Sequence, residues 1–242
     1  MNAVHAVNLI TTCRGRLEHL KRSIPTMLAQ HADCRWWVTV VDYGDPDDAF
    51  GWCQRQAHPR LQAIKVLEGV EFYSHGRARN FGAVRSSADL LCLLDADSLL
   101  STAWLATILD LVGRGHNACL PKEMVANWSG MFAVRSWLFH AARGYDESFA
   151  GWGYDDTDLY QRIEQHGADV GRFDLTIAEM IEHGNDLRVN NYREQDAAVS
   201  FYQNWERTQV AGRGPVNPAG YGLGQCLYWR APQACMTASG LP

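Results

Sequence analysis

Residues 90–100 read LLCLLDADSLL, and this stretch decides the fold. Leu90 to Leu94 are uniformly apolar, Asp95 and Asp97 follow one residue apart, and Ser98, Leu99 and Leu100 return at once to apolar character. A strand with one wet face alternates apolar and polar residues. A uniform apolar run ended by acids is instead the pattern of a central strand buried on both faces of a parallel sheet. In open parallel sheets, ligands bind beyond the carboxyl ends of the strands. Two carboxylates at such an end repel each other unless a positive charge joins them.

Working outward, VHAVNLI (4–10), WWVTVVD (36–42) and AIKVLE (63–68) read as further strands. Leu17, Leu20, Ile24, Met27 and Leu28 recur at helical spacing within 17–30, and a second helix fits 77–87. Strand and helix in alternation predict an α/β fold, a mostly parallel sheet flanked by helices. The second half is less regular. It carries GMFAVRSWLF, the Gly- and Trp-rich loop AGWGYDD (150–156), a helix over 155–165 and a strand near Ile177. A tail over 216–242, rich in Gly, Pro and Ala, reads as wrapped or partly disordered.

With 242 residues, 47% hydrophobic and 20% charged, the chain fits a single soluble globular domain. A net charge of -5 argues against a broad grip on nucleic acid and favours small, neutral or polar ligands, with a local basic groove left open. The 7 cysteines form no CxxC pair and no zinc-like cluster, so a reducing compartment is expected. Without a basic leader followed by an apolar segment, and without a run of ~18 apolar residues, the expectation is a cytoplasmic protein, at most peripheral to a membrane.

Four constellations carry chemistry. A DxD at a strand end can hold Mn2+ or Mg2+, hard cations that take oxygen ligands and bridge to phosphates; taken alone, it reads sooner as a solvated turn capping a helix. In GWGYDDTDLYQRI (151–163), Gly151 and Gly153 allow a tight turn that sets Trp152 against a sugar ring, and Asp155, Asp156 and Asp158 open a helix. Acids in a first turn need no more than the helix dipole to explain them, yet a carboxylate there can also accept a proton from a hydroxyl. His183 in EMIEHGNDLR gains meaning only if the chain returns it to the DxD. Arg14 and Arg16 in TTCRGR, with Arg77 and Arg79 in SHGRARNFGA, offer forks suited to phosphate, or a surface paired with acids.

Taken in order, these pieces resemble the metal-dependent glycosyltransferases of the GT-A fold, family 2 and the β-1,4-galactosyltransferase group, from about Val4 to Asn191. NLITTCRGRLEHLKRSI resembles the galactosyltransferase opening, SHGRARNFGA the segment ahead of the DxD, AGWGYDDTDLYQRI the G-W-G-x-E/D-D-x-D helix start, and MIEHGND the segment that returns a histidine to the metal. The resemblance implies a GT-A (Rossmann-like) sheet with a small acceptor-side subregion: about 1–100 a nucleotide-sugar half, about 101–215 an acceptor and catalytic half. It implies Asp97 and His183 as ligands of Mn2+ or Mg2+, with Asp95 on the metal through water or on the donor ribose, and Met180 as a sulfur ligand. Thr11, Arg14, Arg16, Asp42 and Arg77 would border the donor. Trp152, Asp155 and Gly130 would border the acceptor, with Asp156 the catalytic base. Thr157 stands where the galactosyltransferases have an acid that grips N-acetylglucosamine, so the acceptor is left open.

The activity so implied is inverting transfer of a sugar from a nucleoside-diphosphate-sugar, UDP-hexose or UDP-N-acetylhexosamine, to the hydroxyl of a glycan or other acceptor. A nucleotidyltransferase is the rival enzyme, although TTCRGR is a poor phosphate loop. A non-catalytic carbohydrate-binding protein is the rival without turnover.

Overall fold

The computed structural model describes residues 3–123, 130–211 and 213–232. In chain order the elements are β1 (Ala6–Cys13), α1 (Leu17–Leu28), β2 (Arg35–Asp42), α2 (Ala49–Gln56), β3 (Leu61–Val66), α3 (His75–Val84), β4 (Leu90–Leu94) and β5 (Ser98–Leu100). There follow α4 (Trp104–Gly113), β6 (Ala118–Pro121), β7 (Phe132–Arg135), α5 (Ser136–Ala141), α6 (Asp155–Gln165), β8 (Val170–Phe173), β9 (Ala178–Met180), α7 (Asn185–Val189), α8 (Ala197–Thr208) and β10 (Cys226–Arg230).

The main sheet has 8 strands in the order β10-β3-β2-β1-β4-β7-β6-β8. β1 to β4 run parallel, β7 lies antiparallel to β4, and β10 closes the far edge antiparallel to β3. LLCLL is the predicted central strand, fully buried between β1 and β7. Its side chains alternate between two apolar layers. Leu90, Cys92 and Leu94 join the layer under α1, α2 and α4, whereas Leu91 and Leu93 join that under α3, α5 and α6. Both faces are covered, so neither set is polar.

Expectation and structure part in three places. The strand expected near Ile177 begins one residue on, as β9, behind a 3-10 turn, Leu175–Ile177, that Asp174 caps by accepting from the Thr176 N–H at 3.0 Å. That strand leaves the main sheet and pairs with β5 in a small sheet of its own. The tail contributes an edge strand, β10; its residues 233–242, like Ser129 ahead of β7, lie outside the described residues.

Candidate active site

The apolar return after Asp97 is what brings the site together. Ser98–Leu100 leaves β4 and zips to Ala178–Met180, with Ser98 opposite Met180 and the Ile181 N–H donating to the Asp97 carbonyl at 2.9 Å. That register places His183 Nε2 2.8 Å from Asp97 Oδ2. The other carboxylate oxygen, Asp97 Oδ1, is buried without a hydrogen-bond partner among the described residues. An orphaned buried carboxylate oxygen is costly, and a cation is the partner that satisfies it. Met180 lines the same cleft, its sulfur 3.7 Å from the Ser98 hydroxyl. Carboxylate, imidazole and thioether together fit Mn2+ better than Mg2+, which prefers oxygen alone. Burial and the neighbouring Asp95 both push the Asp97 carboxyl up, a strain that a bound cation relieves.

A second cluster adjoins it. His75 and Arg79 lie one turn apart on α3 and so share a face. His75 Nδ1 is 2.8 Å from Asp155, and its Nε2 is 3.2 Å from Asp95. Arg79, with no exposed surface, donates to Asp95 at 2.8 Å, Asp156 at 3.1 Å, the Tyr145 hydroxyl at 2.6 Å and the Gly130 carbonyl at 2.6 Å. The Tyr145 hydroxyl also donates to Asp156 Oδ1 at 2.9 Å. Asp156 is thus fixed through one oxygen at the floor of the cleft.

The two halves of GWGYDD have different electrostatics. Burial, reinforced by Asp155, pushes Asp156 up to about 7 against the pull of Arg79. Burial also opposes charge on Asp155, but the hydrogen bond from His75 outweighs it and holds that carboxyl down. On His75, burial and Arg79 resist protonation, and the two aspartates overcome them to push it up to about 9. His75, Asp155 and Asp156 offer ligand atoms within 4.8 Å of one another, enough to suggest a cation. Both ring nitrogens of His75 already face carboxylates, so this group reads as a hydrogen-bonded charge cluster, and the Asp97–His183 pair, with its orphaned oxygen, is the better candidate for a metal.

Arg14, Arg16, Asp95, Asp97, Gly130, Trp152, Asp155, Asp156, Met180 and His183 all line one cleft. Thr11, Asp42 and Arg77 do not. Thr11 has no exposed surface, because successive strand residues face opposite ways, and it is Thr12 that lines the cleft, 2.6 Å from the Tyr73 hydroxyl. Asp42 is buried with both oxygens committed to the backbone N–H groups of Asp45 at 2.8 Å and Phe50 at 3.0 Å. Arg77 turns to the Tyr43 hydroxyl and the carbonyls of Glu68 and Leu223. Of the two arginines in SHGRARNFGA, Arg79 is the one that faces the DxD, while Arg16 approaches Asp97 at 3.6 Å from the other side. The i, i+4 spacing of His75 and Arg79 in SHGRARNFG is the signal that would have found the cluster.

Gly130 is required by contact: a Cβ there would meet Asp95 Oδ2 at 2.0 Å. Trp152 lines the cleft with the Arg188 guanidinium 5.1 Å from its ring centre, so one indole face is already covered. Arg14 and Arg16 reach the cleft while tied to loop carbonyls, Arg14 to Glu71 at 2.9 Å and Arg16 to Leu187 at 2.6 Å.

With these contacts in view, the fold as a whole is similar to that of known structures. S. aureus TarS 1-349 in complex with UDP-GlcNAc superposes with a TM-score of 0.64 at 12% identity, covering 75% of this chain and 60% of that one. The mannosyltransferase PcManGT from Pyrobaculum calidifontis, in complex with GDP-Man and Mn2+, gives 0.61 at 17% identity, covering 75% and 58%. The chain has the GT-A glycosyltransferase fold. It spans about three fifths of the length of these structures. Residues 119–184, which carry the GWGYDD loop and His183, match the family model described as the N-terminal domain of galactosyltransferase. No curated protein matches the chain by sequence. No helix among the described residues is long and apolar enough to cross a membrane.

Proposed function

We propose that the chain is an inverting, metal-dependent glycosyltransferase that moves a sugar from a nucleoside-diphosphate-sugar to an acceptor hydroxyl. The observation that carries this reading is the orphaned oxygen of Asp97, paired with His183, in the same cleft as Asp156. The GT-A fold supports it, as does the galactosyltransferase-type segment 119–184. A UDP-hexose or UDP-N-acetylhexosamine is the donor we favour, in line with the resemblance and with the UDP-GlcNAc of one structural neighbour. On this reading residues 1–100 form the donor side and 101–215 the acceptor side of a single domain, which acts in the cytoplasm.

Asp97 and His183, with Met180 beside them, would hold Mn2+, which as a Lewis acid would offset charge on the departing diphosphate. Asp156 accepts the proton of the acceptor hydroxyl as that oxygen bonds to the anomeric carbon and the carbon–diphosphate oxygen bond breaks. A carboxyl pushed up to about 7 suits a base working near neutrality. Arg79 and Tyr145 hold it toward the cleft, and Arg14 and Arg16 supply positive charge on the donor side. One carboxylate suffices here, whereas a glycosidase needs two flanking the bond.

Thermal stability measured with UDP, Mn2+ and both together tests the reading. Stabilisation that requires both supports it, and stabilisation by free sugars alone would favour a binding protein. Metal-dependent hydrolysis across a set of UDP-sugars then identifies the donor.

A further inference from the structure

Beyond the cleft, helix α8 carries large aromatic side chains in solvent: Phe201 is 43% exposed, Tyr202 55% and Trp205 36%. The Tyr202 and Trp205 rings lie 5.3 Å apart, and Phe201 meets Tyr154 edge-on at 5.4 Å. Tyr154 immediately precedes Asp155 and holds a left-handed φ of 67° that a tyrosine rarely adopts. Aromatic surface therefore runs from the loop that carries Asp156 out along α8, with Phe201 to Trp205 spanning about 6 Å of helix axis.

The opposite face of α8 is welded to that loop. Ser200 and Asn204, both buried, bind it through Ser200 Oγ to the Trp152 carbonyl at 2.8 Å and Asn204 Nδ2 to the Gly153 carbonyl at 2.9 Å, while the Ala150 N–H returns a bond to Asn204 at 3.2 Å. A Cβ on Gly151 would sit 2.4 Å from that of Ser200, so the two backbones approach as closely as glycine permits. The ridge is thus held in a fixed position relative to Asp156.

We propose that Phe201, Tyr202 and Trp205 form a subsite for the distal units of a neutral oligosaccharide acceptor whose terminal unit reaches Asp156; this rests on the transfer reading above. Sugar rings present flat C–H faces that stack on aromatic rings, with hydroxyls left for polar neighbours such as Gln203. Charge decides against a lipid surface. Helix α8 carries one basic residue, Arg207, directly beside Glu206, and the whole chain carries -5, whereas a helix that binds anionic membrane is rich in Lys and Arg on its polar face. Area decides against a second copy of the chain. Three aromatic side chains that bury about 150–250 Å² each in full, and are here about half exposed, offer on the order of 300 Å², below the ~800 Å² per partner of a stable interface.

The probes are ladders of one to four units built from glucose, galactose or N-acetylglucosamine, with binding followed by calorimetry in the presence of UDP and Mn2+. At least one ladder is expected to gain tenfold or more in affinity between one and three units, and Tyr202→Ala/Trp205→Ala is expected to abolish the gain. Retained stabilisation by UDP with Mn2+ in that variant verifies an intact fold and donor site. Affinity independent of length, or a ridge variant that still shows the gain, overturns the proposal. So does a dimer in sedimentation, or binding to phosphatidylcholine–phosphatidylglycerol vesicles, that the variant removes. Ladder binding without donor hydrolysis counts against the transferase reading alone, and hydrolysis without ladder binding counts against the ridge alone.

Discussion

Arg79 does the most at the scale of single residues. It neutralises Asp95, whose carboxyl it holds well below the usual range with help from His75 against burial, and it tethers Asp156 through the same guanidinium. Asp156→Asn is expected to lower transfer by about 100- to 10,000-fold, the ordinary contribution of a general base, while stabilisation by UDP with Mn2+ is retained. The sign of the pH dependence follows from Asp156. A base must be ionised, so kcat/KM is expected to fall about tenfold per unit as pH drops below about 7, as a pH–rate profile would reveal. Arg79 favours the ionised carboxylate, so in Arg79→Met the acid limb is expected to move above 7, with stability down by about 3 kcal/mol in urea unfolding for two acids that lose their guanidinium partner. Arg79→Lys keeps the charge and is expected to keep the limb near its original position, which separates the electrostatic effect from simple misfolding.

At the scale of elements, the pairing of β5 with β9 makes the proposed metal site, since neither strand is long and only their register carries His183 to Asp97. His183→Ala is expected to raise the Mn2+ concentration needed for half-maximal donor hydrolysis by 10-fold or more, with activity recovered at saturating metal; an unchanged requirement in a metal titration would remove His183 from the ligand set. This element also marks the limit of what the sequence discloses. DADS and MIEH can be recognised separately, because each is a local run of chemically distinctive residues. Their contact is a strand pair of three residues each, separated by more than seventy positions, and nothing in so short a run announces its partner. Thr11 and Arg77 lie off the cleft lining for a related reason. One residue along a strand, or two along a helix, reverses which way a side chain faces, so Thr12 lines the cleft and Arg79 turns to Asp95 and Asp156 beneath it.

For the whole molecule, β1 to β4 were legible because buried parallel strands are long apolar runs with amphipathic helices between them. The remaining strands of the sheet are short and mixed, and β10 joins from the far end of the chain, so its place depends on contacts rather than on pattern. The tail that leads to it has a role that composition concealed. Asn217 donates to the carbonyls of Arg143 at 2.9 Å and Tyr145 at 2.7 Å, the Gly222 N–H donates to Glu147 at 2.6 Å, and Arg85 and Arg77 of the α3 region donate to the carbonyls of Gly222 at 2.8 Å and Leu223 at 3.1 Å. This strap, residues 213–225, thus backs the helix that carries His75 and Arg79, whereas β10 adds only an edge strand with Leu227 and Tyr228 half exposed. Two truncations separate these roles. A chain ending at Gln225 is expected to lose stability but to keep its stabilisation by UDP with Mn2+, because the strap remains. A chain ending at Gln209 loses the strap, leaves Glu147 and the carbonyls of Arg143 and Tyr145 without those partners, and is expected to bind UDP with Mn2+ at least tenfold more weakly. Equal binding by the two chains, measured by calorimetry at a temperature where both are folded, would mean that α3 holds its cluster without support from the tail.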